Sequence, residues 1–190
     1  MSWKASLHRK FTGDPPPEVT WLRENKEDIE TDDSYEMTFT NVIQNSFEIG
    51  PLVRSDLGTI LTCQSKNNNV SVPLTKKVTL DMLFKPNDVS ITSVGEPISV
   101  GSEYAVVCEA AGSRPDPVMT WWLGDAFLGH NNQVVEKVGN ISRSVLKLKP
   151  KPEDDQKVLT CRAENVEIEE GAIQDQWTLP VYCEWSSFLV

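Results

Sequence analysis

Long apolar segments are missing from this 190-residue chain. No run reaches the roughly 18 to 20 apolar residues that a membrane-spanning helix needs. Residues 1–10 contain lysines and an arginine but no apolar centre, so they do not have the pattern of a secretory signal peptide. The last residues, 184–190, are mildly apolar but too few for an anchor. We therefore expect the chain to be part of a longer protein.

Motifs that carry catalysis are also missing. The chain has two histidines, His8 and His130, and neither lies in a motif with a serine or cysteine nucleophile. No G-x-S-x-G, P-loop or H-E-x-x-H sequence occurs. None of the four cysteines forms a C-x-x-C pair, which argues against zinc and thioredoxin-type redox chemistry. We predict that the protein is not an enzyme and binds no cofactor and no metal.

The net charge of −10 excludes one large class of partners. An acidic chain gains nothing from the release of counterions from phosphates, so we expect no nucleic-acid binding. Anionic membrane surfaces would repel it as well. The acidic run 27–33 lacks the glycine turn and the ligand spacing of a calcium loop, so we interpret it as a solvated loop. Residues 167–170 are interpreted in the same way.

An internal repeat is the strongest positive signal. The letters PEVTW end at Trp21 and PVMTW ends at Trp121, 100 residues later. The letters LTC end at Cys63 and again at Cys161, and an asparagine follows each of these cysteines by four positions. Landmarks that recur in the same order indicate one module used twice.

Alternation of apolar and polar residues predicts that this module consists of short β-strands. Glycine and proline residues separate the alternating runs. Strands of this length and spacing pack as a sandwich or a barrel. In the second copy the apolar faces are Tyr104, Val106, Cys108 and Ala110; Met119, Trp121 and Leu123; Leu146 and Leu148; Leu159, Cys161 and Ala163; and Trp177, Leu179 and Val181.

The order Cys108, Trp121, Cys161 favours an immunoglobulin-type sandwich, in which a disulfide joins the two sheets and the indole packs on it. The alternative, two unrelated buried thiols, is disfavoured by the repeat. We predict a Cys108–Cys161 disulfide and core positions for Trp21 and Trp121. The predicted fold is all-β, with two tandem immunoglobulin-like β-sandwich domains.

The predicted domains are residues 1–84 and 85–183, followed by a tail, 184–190, of no assigned domain. The first domain is expected to be truncated at its N-terminus, without its first strand and first cysteine. An offset of 100 residues places that cysteine at position 8, which is His8. Residues 1–11 lack clean alternation, so we expect them to be foreign to the domain. A degenerate domain that has lost its disulfide is the alternative.

Two cysteines remain after the predicted disulfide is formed. Cys63 is expected to be an unpaired thiol beside Trp21. Cys183 either pairs within a following domain, results from truncation, or forms a Cys63–Cys183 bridge. The bridge is disfavoured because the two positions should lie far apart in an end-to-end tandem.

Several segments resemble the Sidestep family of insect immunoglobulin-superfamily receptors. They are AGSRP at 111–115, TWW at 120–122, LTCRAEN at 159–165, and the junction VTLDM at 78–82 with KP at 85–86. The resemblance implies an anchored receptor on the extracellular side of the cell membrane. It also implies a role in axon guidance or cell–cell recognition, with a Beaten-path-type cell-surface ligand as partner. This sequence departs from the pattern because it has no signal peptide, no first cysteine and no anchor.

Two other functions stay open. The same modules build soluble secreted binding proteins. They also build intracellular structural arrays of the muscle type, which work in a reducing compartment where disulfides are rare. A disulfide in the second domain would argue against the intracellular alternative.

Four surface positions are candidate functional sites. Asn69 and Asn140 each begin an N-glycosylation sequon in a predicted turn. Trp122 should face away from Trp121, because successive strand residues point to opposite sides, and Leu22 takes the same place in the first copy. Each could contact a partner, or a neighbouring strand or loop could cover it; we favour the second interpretation.

Overall fold

The computed structural model describes residues 3–23, 35–39, 42–93 and 98–182. The chain divides into two compact units, Met1–Met82 and Leu83–Val190, and each is described here by itself. The acidic run 27–33, Cys183 and the tail 184–190 lie outside the described residues. No helix in the described ranges is long and apolar enough to cross a membrane.

In its described residues, the first unit has two antiparallel three-stranded sheets. One sheet has the order β1-β4-β3 and the other has the order β2-β5-β6. The strand bounds are β1 (Trp3–Thr12), β2 (Glu18–Arg23), β3 (Tyr35–Phe39), β4 (Val42–Leu52), β5 (Ile60–Lys66) and β6 (Leu74–Thr79). Among the described side chains its buried core contains Trp21, Phe47, Leu61, Cys63 and Leu80. The Trp21 and Phe47 rings stack with centroids 5.5 Å apart.

Across residues 83–93 and 98–182, the second unit has two four-stranded antiparallel sheets and a two-stranded parallel pair. The sheet orders are β12-β13-β9-β7 and β11-β10-β14-β15, and β16 pairs with β8. The bounds are β7 (Asp88–Ile91), β8 (Ile98–Ser99), β9 (Tyr104–Ala111), β10 (Val118–Leu123), β11 (Ala126–Phe127), β12 (Gln133–Val138), β13 (Ile141–Leu148), β14 (Val158–Glu164), β15 (Ala172–Thr178) and β16 (Val181–Tyr182). The all-β fold expected from the alternation is confirmed.

The core of the second unit comes from the alternate residues that the sequence places inside. Every second residue of β9 and β13 is buried, as period-2 alternation requires of a sheet with one solvated face. Trp121 and Leu159 are fully buried. The predicted strand 177–181 is interrupted, because β15 ends at Thr178 and β16 begins at Val181. Pro180 lies between them and has no N–H to donate to a ladder.

In each unit an aspartate stabilises the turn that precedes a long strand. Asp56 lies before β5 and Asp154 lies before β14. Asp154 accepts hydrogen bonds from the Lys151 N–H at 2.9 Å and from Lys157 Nζ at 2.9 Å. Burial raises the pKa of Asp154, but these hydrogen bonds and the two lysine charges outweigh burial and hold the pKa below its usual value. In the first unit Asp56 accepts from the Val53 N–H at 2.8 Å and pairs with Arg23.

The expectation that residues 1–11 do not belong to the first domain is wrong. Trp3–Thr12 forms β1, which pairs with β4 along nearly its whole length. Leu7 and Phe11 of β1 pack against the core of the first unit. Because these two apolar residues are four positions apart, they share one face of the strand.

The position assigned to the missing cysteine is also wrong, by one residue. His8 is exposed and its Nδ1 lies 2.8 Å from Ser46 Oγ. Arg9 is half-buried and pairs with Asn45, and Asn45 accepts a hydrogen bond from Trp21 Nε1 at 2.8 Å. In the second unit, Cys108 pairs with Ser144, which accepts from Trp121 Nε1 at 2.9 Å. Arg9 therefore takes the place that Cys108 has in the second unit.

A one-residue slip of this kind turns every side chain of a strand to its other face. In β1 and β4 it places Leu7, Phe11 and Phe47 inside and His8 outside. The constant offset does not reveal this slip, because it was set by aligning Trp21 with Trp121. The segment from Arg9 to Trp21 is one residue shorter than the segment from Cys108 to Trp121. Hydrophobic burial therefore overrides the constant repeat offset.

Candidate recognition surface

In the second unit, a covalent bond links the sheet β11-β10-β14-β15 to the opposite sheet. A disulfide joins Cys108 of β9 to Cys161 of β14, with the two Cα atoms 6.5 Å apart. Trp121 lies directly opposite Cys161 in the β10–β14 ladder and is fully buried. The bond closes a loop across 53 residues, which corresponds to about 4 kcal/mol in the chain-entropy model. The sheet that carries β10 is thus fixed to the opposite sheet beneath its centre.

An aromatic cluster lies on the outer side of this sheet. The Trp122 and Phe127 rings have centroids 5.1 Å apart and are tilted by 47°. The Phe127 and His130 rings meet edge to face at 5.4 Å. Phe127 comes from β11, which pairs with β10 so that Trp122 and Phe127 are directly opposite. The edge strand β11 therefore partly covers Trp122 and leaves Phe127 45% exposed.

Hydrogen bonds connect this cluster to the buried tryptophan. Gln133 Nε2 lies 3.1 Å from His130 Nδ1 and donates to the Met119 carbonyl at 3.0 Å. Gln133 Oε1 accepts from Ser144 Oγ at 3.0 Å, and Ser144 in turn accepts from Trp121. Through Gln133 and Ser144, a continuous series of hydrogen bonds therefore runs from His130 at the surface to Trp121 in the core.

Next to the aromatic cluster, the solvent-facing side of the same sheet carries polar groups on β14 and β15. Arg162 Nη2 pairs with Glu164 at 3.1 Å, and Gln176 Nε2 donates to Thr160 Oγ1 at 3.3 Å. The ion pair is exposed, so it contributes little to stability. An aromatic centre beside hydrogen-bonding groups is the composition found at protein–protein contacts.

Two family models match the chain in succession. Residues 5–76 match the immunoglobulin domain, and residues 85–170 match the CD80-like C2-set immunoglobulin domain. The chain belongs to the immunoglobulin superfamily. Its two tandem immunoglobulin domains are those predicted from the repeat.

Curated relatives are much longer than this chain. Nephrin of Mus musculus is 30% identical over 157 residues, which are 80% of this chain and 12% of nephrin. The tyrosine-protein kinase-like otk of Drosophila persimilis is 26% identical over 163 residues, which are 85% of this chain and 15% of that protein. The immunoglobulin domains of this chain resemble those of cell-adhesion receptors.

Solved structures agree with the fold. The titin fragment I67–I69 superimposes with a TM-score of 0.64 at 19% identity, covering 96% of this chain and 61% of the fragment. The mouse nectin-like molecule 4 ectodomain gives a TM-score of 0.53 at 21% identity, covering 95% of this chain and 60% of that ectodomain. At such identities the likeness establishes the immunoglobulin architecture alone.

The two sequons lie in different surroundings in the two immunoglobulin domains. Asn69 is exposed, and so is the middle residue of its sequon, Val70, at 96%. Asn140 is exposed in the two-residue turn between β12 and β13, but its sequon serine, Ser142, is buried at 6%. Both asparagine side chains therefore have room for a glycan on the folded domains.

The remaining predicted positions are one surface residue and one thiol of the first immunoglobulin domain. Leu22 is 43% exposed on the outer face of β2. Cys63 is buried and free, and it lies opposite Trp21 in the β2–β5 ladder. Burial raises the pKa of the Cys63 thiol, and the Arg9 charge lowers it by a smaller amount. The net effect keeps this thiol protonated at neutral pH, and the thiolate is the reactive form.

In the part of the chain that the structure describes, no three or more histidine, cysteine, aspartate or glutamate side chains lie together so that they could hold a metal ion. Sequence reasoning did not predict Phe127, His130 or Gln133 as part of the recognition surface. A signal for Phe127 was present, because a Gly-Asp turn before it predicts a strand that forms a hairpin with β10. Sequence reasoning also missed Arg9, because the repeat offset pointed to His8.

Proposed function

We propose that this chain is an extracellular portion of a cell-surface recognition receptor and that it binds another cell-surface protein. The disulfide between Cys108 and Cys161 is the observation that carries the proposal, since such bonds persist in oxidising compartments. The relationship to nephrin supports it. Non-catalytic domains of this kind act by presenting a rigid surface to a partner.

Membership of the Sidestep family belongs to this proposal, as does a role in axon guidance with a Beaten-path-type ligand. The segments 111–115, 120–122 and 159–165 support both. The two glycosylation sites, Asn69 and Asn140, belong to it as well. Their exposure supports modification of the secreted protein, because a bulky glycan needs a solvated attachment point.

The partner surface that we propose is centred on Trp122 and Phe127. Buried aromatic anchors contribute most of the binding energy at many interfaces, and surrounding polar groups exclude water. Phe127 offers exposed ring area, and Trp122 supports it from below. Leu22 is a weaker candidate, because leucine is under-represented among the residues that dominate binding energy at interfaces. A single contact of this size gives modest affinity. Many copies bound at the same cell contact would raise the overall avidity.

The alternatives differ in compartment or in anchorage. A soluble secreted binding protein would use the same domains and the same surface. An intracellular structural array is disfavoured by the disulfide, even though titin domains share the fold.

A binding screen tests the proposal. The chain is fused behind a secretion signal, multimerised, and applied to an array of cell-surface ectodomains. We expect binding to one or a few immunoglobulin-domain proteins, and we expect the Phe127→Ala variant to lose it. The control is Val134→Ala, because Val134 is 61% exposed on β12 of the other sheet. Equal binding by both variants would remove the aromatic cluster from the proposed interface. Failure of the chain to oxidise Cys108 and Cys161 during secretion would overturn the receptor assignment.

A further inference from the structure

The two glycosylation sequons differ in where the structure places their serine. An oligosaccharyltransferase must bind both the asparagine amide and the hydroxyl two positions later, because the hydroxyl distinguishes a sequon from any other asparagine. Ser71, the serine of the Asn69 sequon, is exposed in the segment between β5 and β6. Ser142, the serine of the Asn140 sequon, is 6% exposed within β13. One sequon is therefore open on the folded domain, and the other has its hydroxyl residue inside.

The Asn69 sequon lies in a loop that local hydrogen bonds hold. Asn68 Oδ1 accepts from the Val70 N–H at 3.0 Å, from the Ser71 N–H at 2.7 Å and from Ser71 Oγ at 2.8 Å. Residues 68–71 are all exposed. A segment whose hydrogen bonds are exposed opens locally at small cost in free energy, so an enzyme can bind it without unfolding the domain.

β13, by contrast, is held on both sides. It pairs with β12 along one edge and with β9 along the other, where Ser142 lies opposite the buried Ala110. The next inward residue, Ser144, lies opposite Cys108 and accepts from Trp121 Nε1 at 2.9 Å. To expose the Ser142 hydroxyl, β13 must leave both neighbouring strands and its place over the core. Strands of this kind open only when most of the domain opens.

The folded domain nevertheless has room for the glycosylated product. Asn140 is exposed in the two-residue turn between β12 and β13. Val138 and Ile141, which flank this turn and lie opposite each other, are exposed as well. A glycan attached before folding would thus project from the end of the hairpin while β13 takes its place in the sheet.

The order of residues along the chain gives glycan transfer a defined interval. Cys161 follows Asn140 by 21 positions. When Asn140 enters a secretory compartment, Cys161 has not yet followed, so the bond between Cys108 and Cys161 cannot form. β14, which carries Cys161, is also missing from its sheet at that moment. The burial of Ser142 therefore begins only after the sequon has become available.

We propose that Asn140 is glycosylated before the second domain folds and cannot be glycosylated afterwards, whereas Asn69 stays available on the folded protein. In the reaction, Asn140 Nδ2 attacks C1 of an oligosaccharide that is carried on a polyprenyl pyrophosphate. The C–N bond forms and the C–O bond to the pyrophosphate breaks. The lipid pyrophosphate leaves with the electron pair of that bond, and the amide nitrogen loses one proton.

The occupancy of Asn140 thus depends on competition between glycan transfer and closure of the Cys108–Cys161 bond. The inference rests on the proposed extracellular function, since a chain that is not secreted meets no oligosaccharyltransferase.

Glycan transfer in vitro tests the inference on the whole chain. The chain is produced without glycans and oxidised, and one portion is then reduced and alkylated. Cys108 and Cys161 are fully buried, so the added groups prevent the core from re-forming. Each form receives a purified oligosaccharyltransferase and a lipid-linked oligosaccharide, and glycopeptide mass spectrometry measures the rate at each asparagine. We expect Asn140 to react roughly a hundredfold more slowly in the oxidised form, because opening β13 requires most of the domain to open. The rate at Asn69 should change far less.

Three variants assign the effect to the sequon and to the disulfide. Cys161→Ala should accept a glycan on Asn140 faster than the oxidised chain, because the second domain opens more often without its bond. Cys63→Ala is the matched control, since Cys63 is a free thiol, and it should behave like the unchanged chain. Ser142→Ala should abolish transfer to Asn140 in every form.

Three results would overturn the inference. Equal rates at Asn140 in the oxidised and alkylated forms would show that folding does not withhold this sequon. An oxidised chain that accepts no glycan on Asn69 would remove the contrast between the two sites. Equal rates for Cys161→Ala and the unchanged chain would remove the disulfide from the competition. The assay contains no partner protein, so its failure and the failure of the binding screen are distinguishable.

Discussion

The two immunoglobulin domains share strand order and a central tryptophan but differ in what joins their sheets. In the second domain a disulfide crosses the core beneath Trp121. In the first domain Cys63 has no disulfide partner in the described chain, and Arg9 stands where the other cysteine would be. The tryptophan N–H keeps a polar acceptor in both, Asn45 in one and Ser144 in the other. The comparison indicates that the indole and its hydrogen bond are retained even where the covalent link is absent.

The cores differ in extent as well. The cluster of buried residues around Trp121 is much larger than the cluster around Trp21, among the side chains that the structure describes. In the second domain β7 covers one edge of β9 and contributes Ile91 to the core. We expect the second domain to be the more stable of the two, because its disulfide restricts the unfolded chain.

Removal of the disulfide should have the largest effect. Cys161→Ala frees the loop closed by Cys108 and should lower the free energy of unfolding of the second domain by about 4 kcal/mol. Urea unfolding followed by tryptophan fluorescence measures the change. Cys63→Ala is the matched control in the first domain, where no covalent link is lost. A second domain that unfolds as cooperatively and at the same urea concentration without Cys161 would contradict the structural role of the bond.

A new disulfide in the first domain would test the same difference between the two domains. Arg9→Cys should form a bond with Cys63, because Arg9 takes the place of Cys108. The expected gain in stability is below about 4 kcal/mol, since engineered bonds seldom reach the entropic value. Mass spectrometry after alkylation measures bond formation. His8→Cys is the control and should stay reduced, because His8 is exposed on the opposite face. Bond formation by the His8 variant alone would restore the register expected from the repeat offset.

Acid should produce the smallest effect, and it should act on the second domain. The pKa of Asp154 is lowered in the folded state, so its contribution to stability is present above the pKa of the unfolded chain. That contribution is lost as the pH falls through the lower, folded-state pKa. Asp154→Asn keeps an acceptor for the Lys151 N–H but removes the charge, so its stability should depend less on pH in this range. Urea midpoints measured across the acid range compare the two proteins. Parallel pH profiles would mean that other carboxylates cause the acid sensitivity.

Much of the second domain could be predicted from sequence because its pattern is internally consistent. Cys108, Trp121 and Cys161 have the spacing of the immunoglobulin core, and each lies on an alternating strand. The same reasoning misplaced the start of the first domain, because His8 was aligned by a constant offset. The aromatic cluster escaped prediction because Phe127 reaches Trp122 through a short edge hairpin with little sequence signal, and His130 in turn contacts Phe127.

The repeat, the period-2 alternation and the Cys–Trp–Cys spacing are local or regularly spaced signals, so the amino-acid sequence was sufficient to identify a tandem of immunoglobulin domains. The register of β1 and the place of Arg9 beside Cys63 became evident from the tertiary structure alone. Strand register depends on which face of the whole sheet is buried, and neighbours across the core depend on how the two sheets pack. Neither property is encoded in a single segment of the chain.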